Sequence, residues 1–319
     1  MSTALTVSGL SSVPSLPAAD IEKAADLARQ EKAKATQRAY GIDFEIFRTW
    51  CASRGVSALP ATAESVAAFL ACEVERGIRS STIGRRVAAI RYAHKLAGHA
   101  VPTDDERVKA TVRGIRRTVG TAARKKAPAT AERVIAMAVG TGTGLKGLRD
   151  RALLLLGFAG AFRRSELVAL DCEDIEECET GLRITIRRGK TDQEGHGATI
   201  GIVPGSVACP MTAVRAWRDA AGIATGPLFR SIRKGGKVGA RLTDQSVADI
   251  VKKHAARVGL DPALFAGHSL RAGFLTSAAK RGASIFKMMD VSRHRSVDTL
   301  RGYVRDAEIF KDHAGAGLL

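Results

Sequence analysis

The strongest constraint on the fold is a run without a polar side chain, Ala152–Phe158. It lies within Arg149–Gly160 and reads as a helix that is apolar all round, with no face to offer water. Other elements must enclose it, so the second half of the chain needs a core of its own. Its surroundings supply candidates. Pro210–Ala221, Thr243–Val258 and Leu270–Arg281 read as helices. Leu182, Ile184 and Ile186 alternate with Arg183, Thr185 and Arg187, the pattern of a half-buried strand over Leu182–Arg188. Gly189–Gly197 is a turn-rich tip, and Ala198–Val203 would be the returning strand. A mainly helical domain with a small antiparallel sheet is expected over 131–319.

The first half differs. Tyr40, Ile42, Phe44, Phe47 and Trp50 recur close to helical spacing within Arg38–Ser53, and Thr62–Glu75 opens on an N-cap-like Thr-Ala-Glu-Ser. Ser80–Leu96 and Asp104–Thr118 continue the pattern, so 21–119 should be an all-helical domain. Residues 120–130 lose the apolar period and hold Arg124-Lys125-Lys126-Ala127-Pro128, which reads as a basic linker. Met1–Asp20 has no Lys or Arg, so it lacks the charged start of a signal peptide; rich in Ser, Pro and Ala, it is expected to be a flexible tail.

Charge narrows the partner. Fifty Lys and Arg stand against 32 Asp and Glu in 319 residues, a net charge of +18. The excess is clustered. No acid falls between Arg76 and Thr103, which hold Arg79, Arg85, Arg86, Arg91 and Lys95, nor between Arg107 and Ala131, which hold Arg113, Arg116, Arg117, Arg124, Lys125 and Lys126. A solvated helix face usually mixes signs, whereas one-signed blocks suit a surface that tracks phosphates and releases counterions. Double-stranded DNA is therefore the expected partner, with the cations named above as contacts, rather than a mere solubilising excess. A membrane surface would want a basic helix with an aromatic face, but only 5% of residues are aromatic, and no run reaches the length of a membrane span. The odd, scattered cysteines Cys51, Cys72, Cys172, Cys178 and Cys209 indicate reduced thiols in a cytosolic setting and no zinc site.

Five features then follow in order: Gly160-Ala161-Phe162-Arg163-Arg164-Ser165-Glu166, the hairpin Gly189-Lys190-Thr191, Gly267-His268-Ser269-Leu270-Arg271, His294-Arg295-Ser296, and Tyr303 nine residues after His294. Each is weak alone; the ordered set resembles the catalytic signature of the tyrosine recombinases, the phage-integrase family, nearest to Cre-like enzymes. The resemblance covers roughly residues 21–310. It implies an all-helical core-binding domain followed by an α+β catalytic domain. It makes Tyr303 the nucleophile, Arg163 and Arg271 the arginines that hold the phosphate, Glu166 the acidic companion of Arg163, and His268 the assisting base. Lys190 becomes the proton donor to the leaving oxygen, and His294 a further hydrogen-bond donor. It also implies two basic domains closing around a duplex with inverted repeats, a homotetramer exchanging strands through a Holliday junction, and room for accessory DNA-bending factors. No cofactor or metal is required, and the bacterial cytoplasm or nucleoid is the expected location. The segment Asp306–His313 would be a short helix that docks into a neighbouring protomer.

These residue types suit the chemistry. A phosphodiester concentrates charge on its nonbridging oxygens as a nucleophile arrives, and an arginine meets those oxygens with a planar fork that lysine lacks. A phenol has a pKa of about 10, so its proton must leave during attack. A covalent phosphotyrosine conserves the bond energy needed for resealing.

Two motifs mislead. Gly189-Lys190-Thr191 ends like a P-loop, but the glycine required upstream is Ile184; Gly140-Thr141-Gly142-Thr143-Gly144 looks like a phosphate loop but suits a connector. The chain also departs from the family pattern, with Arg293 where glycine is usual before the second histidine, and Ala161-Phe162 for Gly-Leu before the first arginine. The competing functions are a nicking–closing enzyme like a type IB topoisomerase and a DNA-binding protein without catalysis.

Overall fold

The computed structural model describes residues 31–122, 126–189 and 197–307, together with 17, 19, 20, 22, 23, 27, 309, 314–316 and 318. The chain divides into two units, Met1–Ala123 and Arg124–Leu319.

Four helices form the described body of the first unit: α1 (Lys34–Ala52), α2 (Ala63–Glu75), α3 (Ser80–Leu96) and α4 (Glu106–Val119). Their inner faces meet in a core of Phe47, Phe69, Leu70, Ile83, Ile90, Val108 and Ile115. The Thr62 hydroxyl accepts from the Ser65 N–H at 3.2 Å and caps α2, and the Asp105 carboxylate accepts from the Arg107 N–H at 2.9 Å and caps α4. Buried His94 joins α3 to the connection between α1 and α2, because Nδ1 donates to the Ile90 carbonyl at 2.8 Å and Nε2 accepts from the Ala61 N–H at 2.9 Å.

The second unit encloses the apolar helix as expected. Helix α6 (Leu145–Ala159) follows α5 (Ala131–Val139) and buries Ala152 to Gly157. The 140–144 segment only connects the two: Gly140 ends α5 and Gly144 precedes α6. Next come the short α7 (Arg164–Ala169) and an antiparallel sheet in the order β1 (Ile175–Cys178), β2 (Gly181–Ile186), β3 (Ala198–Ile202). Leu182 pairs with Ile202 and Ile184 with Ile200, which puts the apolar alternates on the buried face. Helix α8 (Pro210–Ala221), the hairpin β4 (Arg230–Ile232) and β5 (Val238–Arg241), and α9 (Asp244–Arg257) complete the main core.

Polar groups are buried here too. Asp150 is fully enclosed and accepts from Arg149 Nη2 at 2.6 Å, His254 Nε2 at 2.8 Å and Lys253 Nζ at 3.1 Å. Burial would raise its pKa, but the His254 hydrogen bond and the Arg149 charge outweigh this and hold it at about 2.

Helix α10 (Ser269–Lys280) spans two cores. Leu270 lies in the main one, whereas Leu275 and Ala279 join Met288 of α11 (Ile285–Ser292) and Leu300 of α12 (Val297–Ala307) in a smaller one. Gly273 lets α10 lie directly on the chain entering the unit, since a Cβ there would fall 1.7 Å from the Ala129 carbonyl oxygen. Helix α12 carries Tyr303; of the segment expected to be a C-terminal helix, Glu308 and Phe310–His313 lie outside the described residues. All five cysteines are free thiols, and among the described residues no helix is long and apolar enough to cross a membrane.

Candidate active site

The site begins where α6 ends. Gly160 closes the helix against the Phe162 ring, which a Cβ would strike, and Ala161 turns the chain at φ 44°. That turn delivers Arg163 as the N-cap of α7. Glu166, buried one turn later, answers it twice: Oε2 accepts the Arg163 backbone N–H at 3.0 Å and Oε1 accepts Arg163 Nη1 at 2.5 Å. Burial would raise the Glu166 pKa, but the Arg293 charge and the Arg163 hydrogen bonds overcome it, so the carboxylate is held below its usual range and is ionised.

Arg271 arrives from the first turn of α10 and is 1% exposed. Its Nη1 donates to the Ala161 carbonyl at 2.6 Å, and its Nη2 lies 3.2 Å from both ring nitrogens of His294. Ser292 orients that ring. Its hydroxyl donates to the Met288 carbonyl at 2.6 Å, so its oxygen is left to accept from His294 Nδ1 at 2.8 Å. Nε2 is then the unprotonated nitrogen, facing Arg271.

Burial, then the Arg163 and Arg293 charges, push the Arg271 pKa down to about 9, with Glu166 and Tyr303 opposing. Burial, then Arg271, Arg163, His268 and Arg293, lower His294 to about 4, so it is neutral at neutral pH. Burial raises the Tyr303 phenol and Arg271 opposes the shift, so the phenol keeps its proton. The cluster carries more positive charge than its single buried carboxylate offsets. An anion entering it would relieve that repulsion, and the uncharged hydroxyl of Tyr303 stands in the same electrostatic neighbourhood.

Arg163, Glu166, Arg271, His294 and Tyr303 thus assemble from α7, α10, the end of α11 and α12. His268 is exposed at the N-cap of α10, near enough to His294 to act on it electrostatically. Lys190 lies outside the described residues. The strand leading to it borders a groove of about 320 Å³ lined by Glu166, Leu170, Thr185, Arg187 and Arg188. Sequence reasoning missed Ser292, whose positioning of His294 has no motif. Arg293 stood out only as a departure from pattern.

The basic surface needs one correction. Arg86 is buried in the first unit, paired with Glu73 and with its Nε 3.8 Å from Asp43, so it is a core ion pair and not a phosphate contact. Helical phase explains this: Arg86 shares the inner stripe of α3 with Ile83, Ile90 and His94. Arg85 reaches outward from Asp43, to which it donates at 2.6 and 3.1 Å. Arg91 and Arg113 pair with Asp104 and Glu106, and Lys126 donates to the Ala263 carbonyl at 2.6 Å. Arg79, Lys95, Arg116 and Arg117 are exposed and have no carboxylate partner among the described residues. Arg124 and Lys125 lie outside the described residues.

Buried Arg271, half-buried Arg163 and a protonated tyrosine thus share one electropositive site in a helical domain with a small sheet. Residues 129–308 match the phage integrase family, and residues 24–100 match its N-terminal SAM-like domain. The chain is 41% identical over 295 residues to an integrase/recombinase xerD homolog of Selenomonas ruminantium, spanning 90% of this chain and 86% of that one. It is 23% identical to the recombinase cre of Escherichia phage P1 over 278 residues, 81% and 80% of the two chains, a lower identity than to the XerD homolog. In fold it is similar to the XerH site-specific recombinase bound to a palindromic difH substrate, with a TM-score of 0.68 at 16% identity over 94% of this chain and 84% of that one. The chain belongs to the phage integrase family, the tyrosine recombinases.

Proposed function

We propose that this site-specific recombinase breaks a DNA strand by attack of the Tyr303 phenolic oxygen on a phosphodiester, forming a 3′-phosphotyrosine and releasing a 5′-hydroxyl. The observation that carries this reading is the placement of Arg271. Fixed by the Ala161 carbonyl and the His294 ring, its positive charge opposes the rise that burial gives the Tyr303 phenol. Arg163 and Arg271 hold the nonbridging oxygens, and Glu166 keeps Arg163 in place. The phenolic proton passes to His268, and the departing 5′-oxygen takes a proton from Lys190. His294 is neutral, with Nε2 bare in the free site. It donates to the phosphate once that anion makes a second ring proton favourable. Strand rejoining reverses these transfers, with the phosphotyrosine supplying the energy.

Duplex DNA carrying inverted repeats is the proposed substrate and a homotetramer on DNA the proposed working assembly, with exchange serving integration, excision or resolution of a mobile element or plasmid. The cations Arg79, Lys95, Arg116 and Arg117, exposed and without a carboxylate partner among the described residues, support the DNA contact of the first unit. The test is a nicked suicide substrate incubated with the protein without ATP or added metal and run on a denaturing gel. Wild type should form a covalent adduct and Tyr303→Phe none. An adduct that survives Tyr303→Phe would end this assignment, as would no adduct on a site the protein binds tightly.

A further inference from the structure

Arg293 is one of two non-glycine residues among those described that hold a positive φ, at 57°; the other is Ala161. A left-handed backbone costs an ordinary residue on the order of 1 kcal/mol, so something must hold it there. The side chain supplies the reason. Arg293 ends α11 and turns inward, 12% exposed, over the Phe162 ring at 5.2 Å. Its Nη1 donates to the carbonyls of Gly160 at 3.1 Å and Val291 at 2.5 Å, and its Nη2 to Glu166 Oε2 at 2.8 Å, with the Ala161 carbonyl at 3.4 Å. One guanidinium therefore joins the end of α11, the turn of Ala161 and the carboxylate that holds Arg163. The Ala161 carbonyl is also the acceptor for Arg271. The Nη groups of Arg293 thus all face this rear contact of carbonyls and carboxylate.

We infer that Arg293 is a positioning residue: its guanidinium clamps Glu166 and the Gly160–Ala161 turn, and so sets the spacing of Arg163 and Arg271 for the scissile phosphate. The inference rests on the proposed function and deepens it. It predicts a defect in chemistry and not in DNA affinity. A lysine could neutralise Glu166 but could not also reach three carbonyls, so charge alone should rescue only part of the loss.

The experiment is single-turnover adduct formation at saturating nicked substrate for wild type, Arg293→Gly, Arg293→Lys, Glu166→Gln and the double variant Arg293→Gly/Glu166→Gln. DNA affinity and thermal midpoint are measured alongside. Glycine suits the left-handed backbone, so the fold should persist. Cleavage should fall roughly 10- to 100-fold in Arg293→Gly, the range typical when the outer partner of a positioned group is lost. Arg293→Lys should fall between it and wild type, with affinity unchanged. The double variant should be little slower than the slower single variant, because both remove one unit. The inference is overturned if Arg293→Gly cleaves at the wild-type rate, if the two defects multiply, or if the loss appears in affinity. No adduct even from wild type would instead sink the proposed function, and this inference with it.

Discussion

Replacing Arg271 by lysine keeps the charge and removes the geometry. The guanidinium is 1% exposed and serves two directions, with Nη1 on the Ala161 carbonyl and Nη2 toward His294. A lysine brings one nitrogen on a flexible stem. If that nitrogen satisfies the Ala161 carbonyl, the phosphate loses a donor; if it turns to the phosphate, the turn before Arg163 loses its anchor. Losing one preorganised donor costs about 3–4 kcal/mol of transition-state stabilisation, or on the order of a hundred- to a thousandfold in rate. The folded state should suffer less, because the charge survives and one charge-assisted hydrogen bond is worth about 1.5–3 kcal/mol. Single-turnover cleavage of a nicked site, with affinity measured separately, should show a rate defect of that size and nearly unchanged binding. A lysine variant that cleaves as fast as wild type would refute the argument that the fork matters. A defect confined to binding would show that Arg271 holds DNA in the ground state only.

Two further outcomes follow from the charge pattern. Arg86→Ala should lower the thermal midpoint, since breaking a buried ion pair costs about 3–5 kcal/mol, while leaving the salt dependence of DNA binding intact. Arg116→Ala should do the reverse, flattening the log–log salt slope by about 1; exchanged phenotypes would show that the inner and outer faces have been misassigned. Asp150 has a folded pKa of about 2, below its ordinary value near 3.8. Its contribution, on the order of 2 kcal/mol, is therefore complete above about pH 4 and drains away as pH falls through 2. Urea midpoints from pH 5 to 3 should fall more steeply for wild type than for Asp150→Asn, and parallel slopes would remove Asp150 from the acid response.

Much of the architecture was legible because burial leaves a period. The alternation of Leu182, Ile184 and Ile186 is the inner face of β2, and the bare apolar run is the centre of α6. The hairpin β4–β5 left no such mark, since its residues are half-buried or exposed and it is only three to four residues long on each side. Nor did α5 or α11, helices of only nine and eight residues. The order of Arg163, His268, Arg271, His294 and Tyr303 pointed to a site, but sequence order carries no orientation. The ring position that Ser292 imposes on His294, the meeting of Asp150 with His254 across 104 residues, and the inward turn of Arg293 depend on packing between segments distant in sequence. Arg86 shows the opposite failure. Its helical phase was visible, but the one-signed block around it suggested a surface.

The two cores spanned by α10 have a consequence for motion. Arg163, Glu166 and Arg271 are rooted beside the large core, whereas α12 is held in the smaller cluster by buried Leu300 with partly buried Tyr303, Val304 and Ala307. Cooperative opening free energies scale with what each unit buries, so the last helix can detach at a fraction of the cost of unfolding the domain. The segment that carries Tyr303 is thus expected to open more readily than the segments that carry Arg163 and Arg271. If Tyr303 is the nucleophile proposed above, the readiness of its hydroxyl becomes an equilibrium that a ligand would bias, and faster amide exchange in α12 than in the first turns of α10 would reveal it.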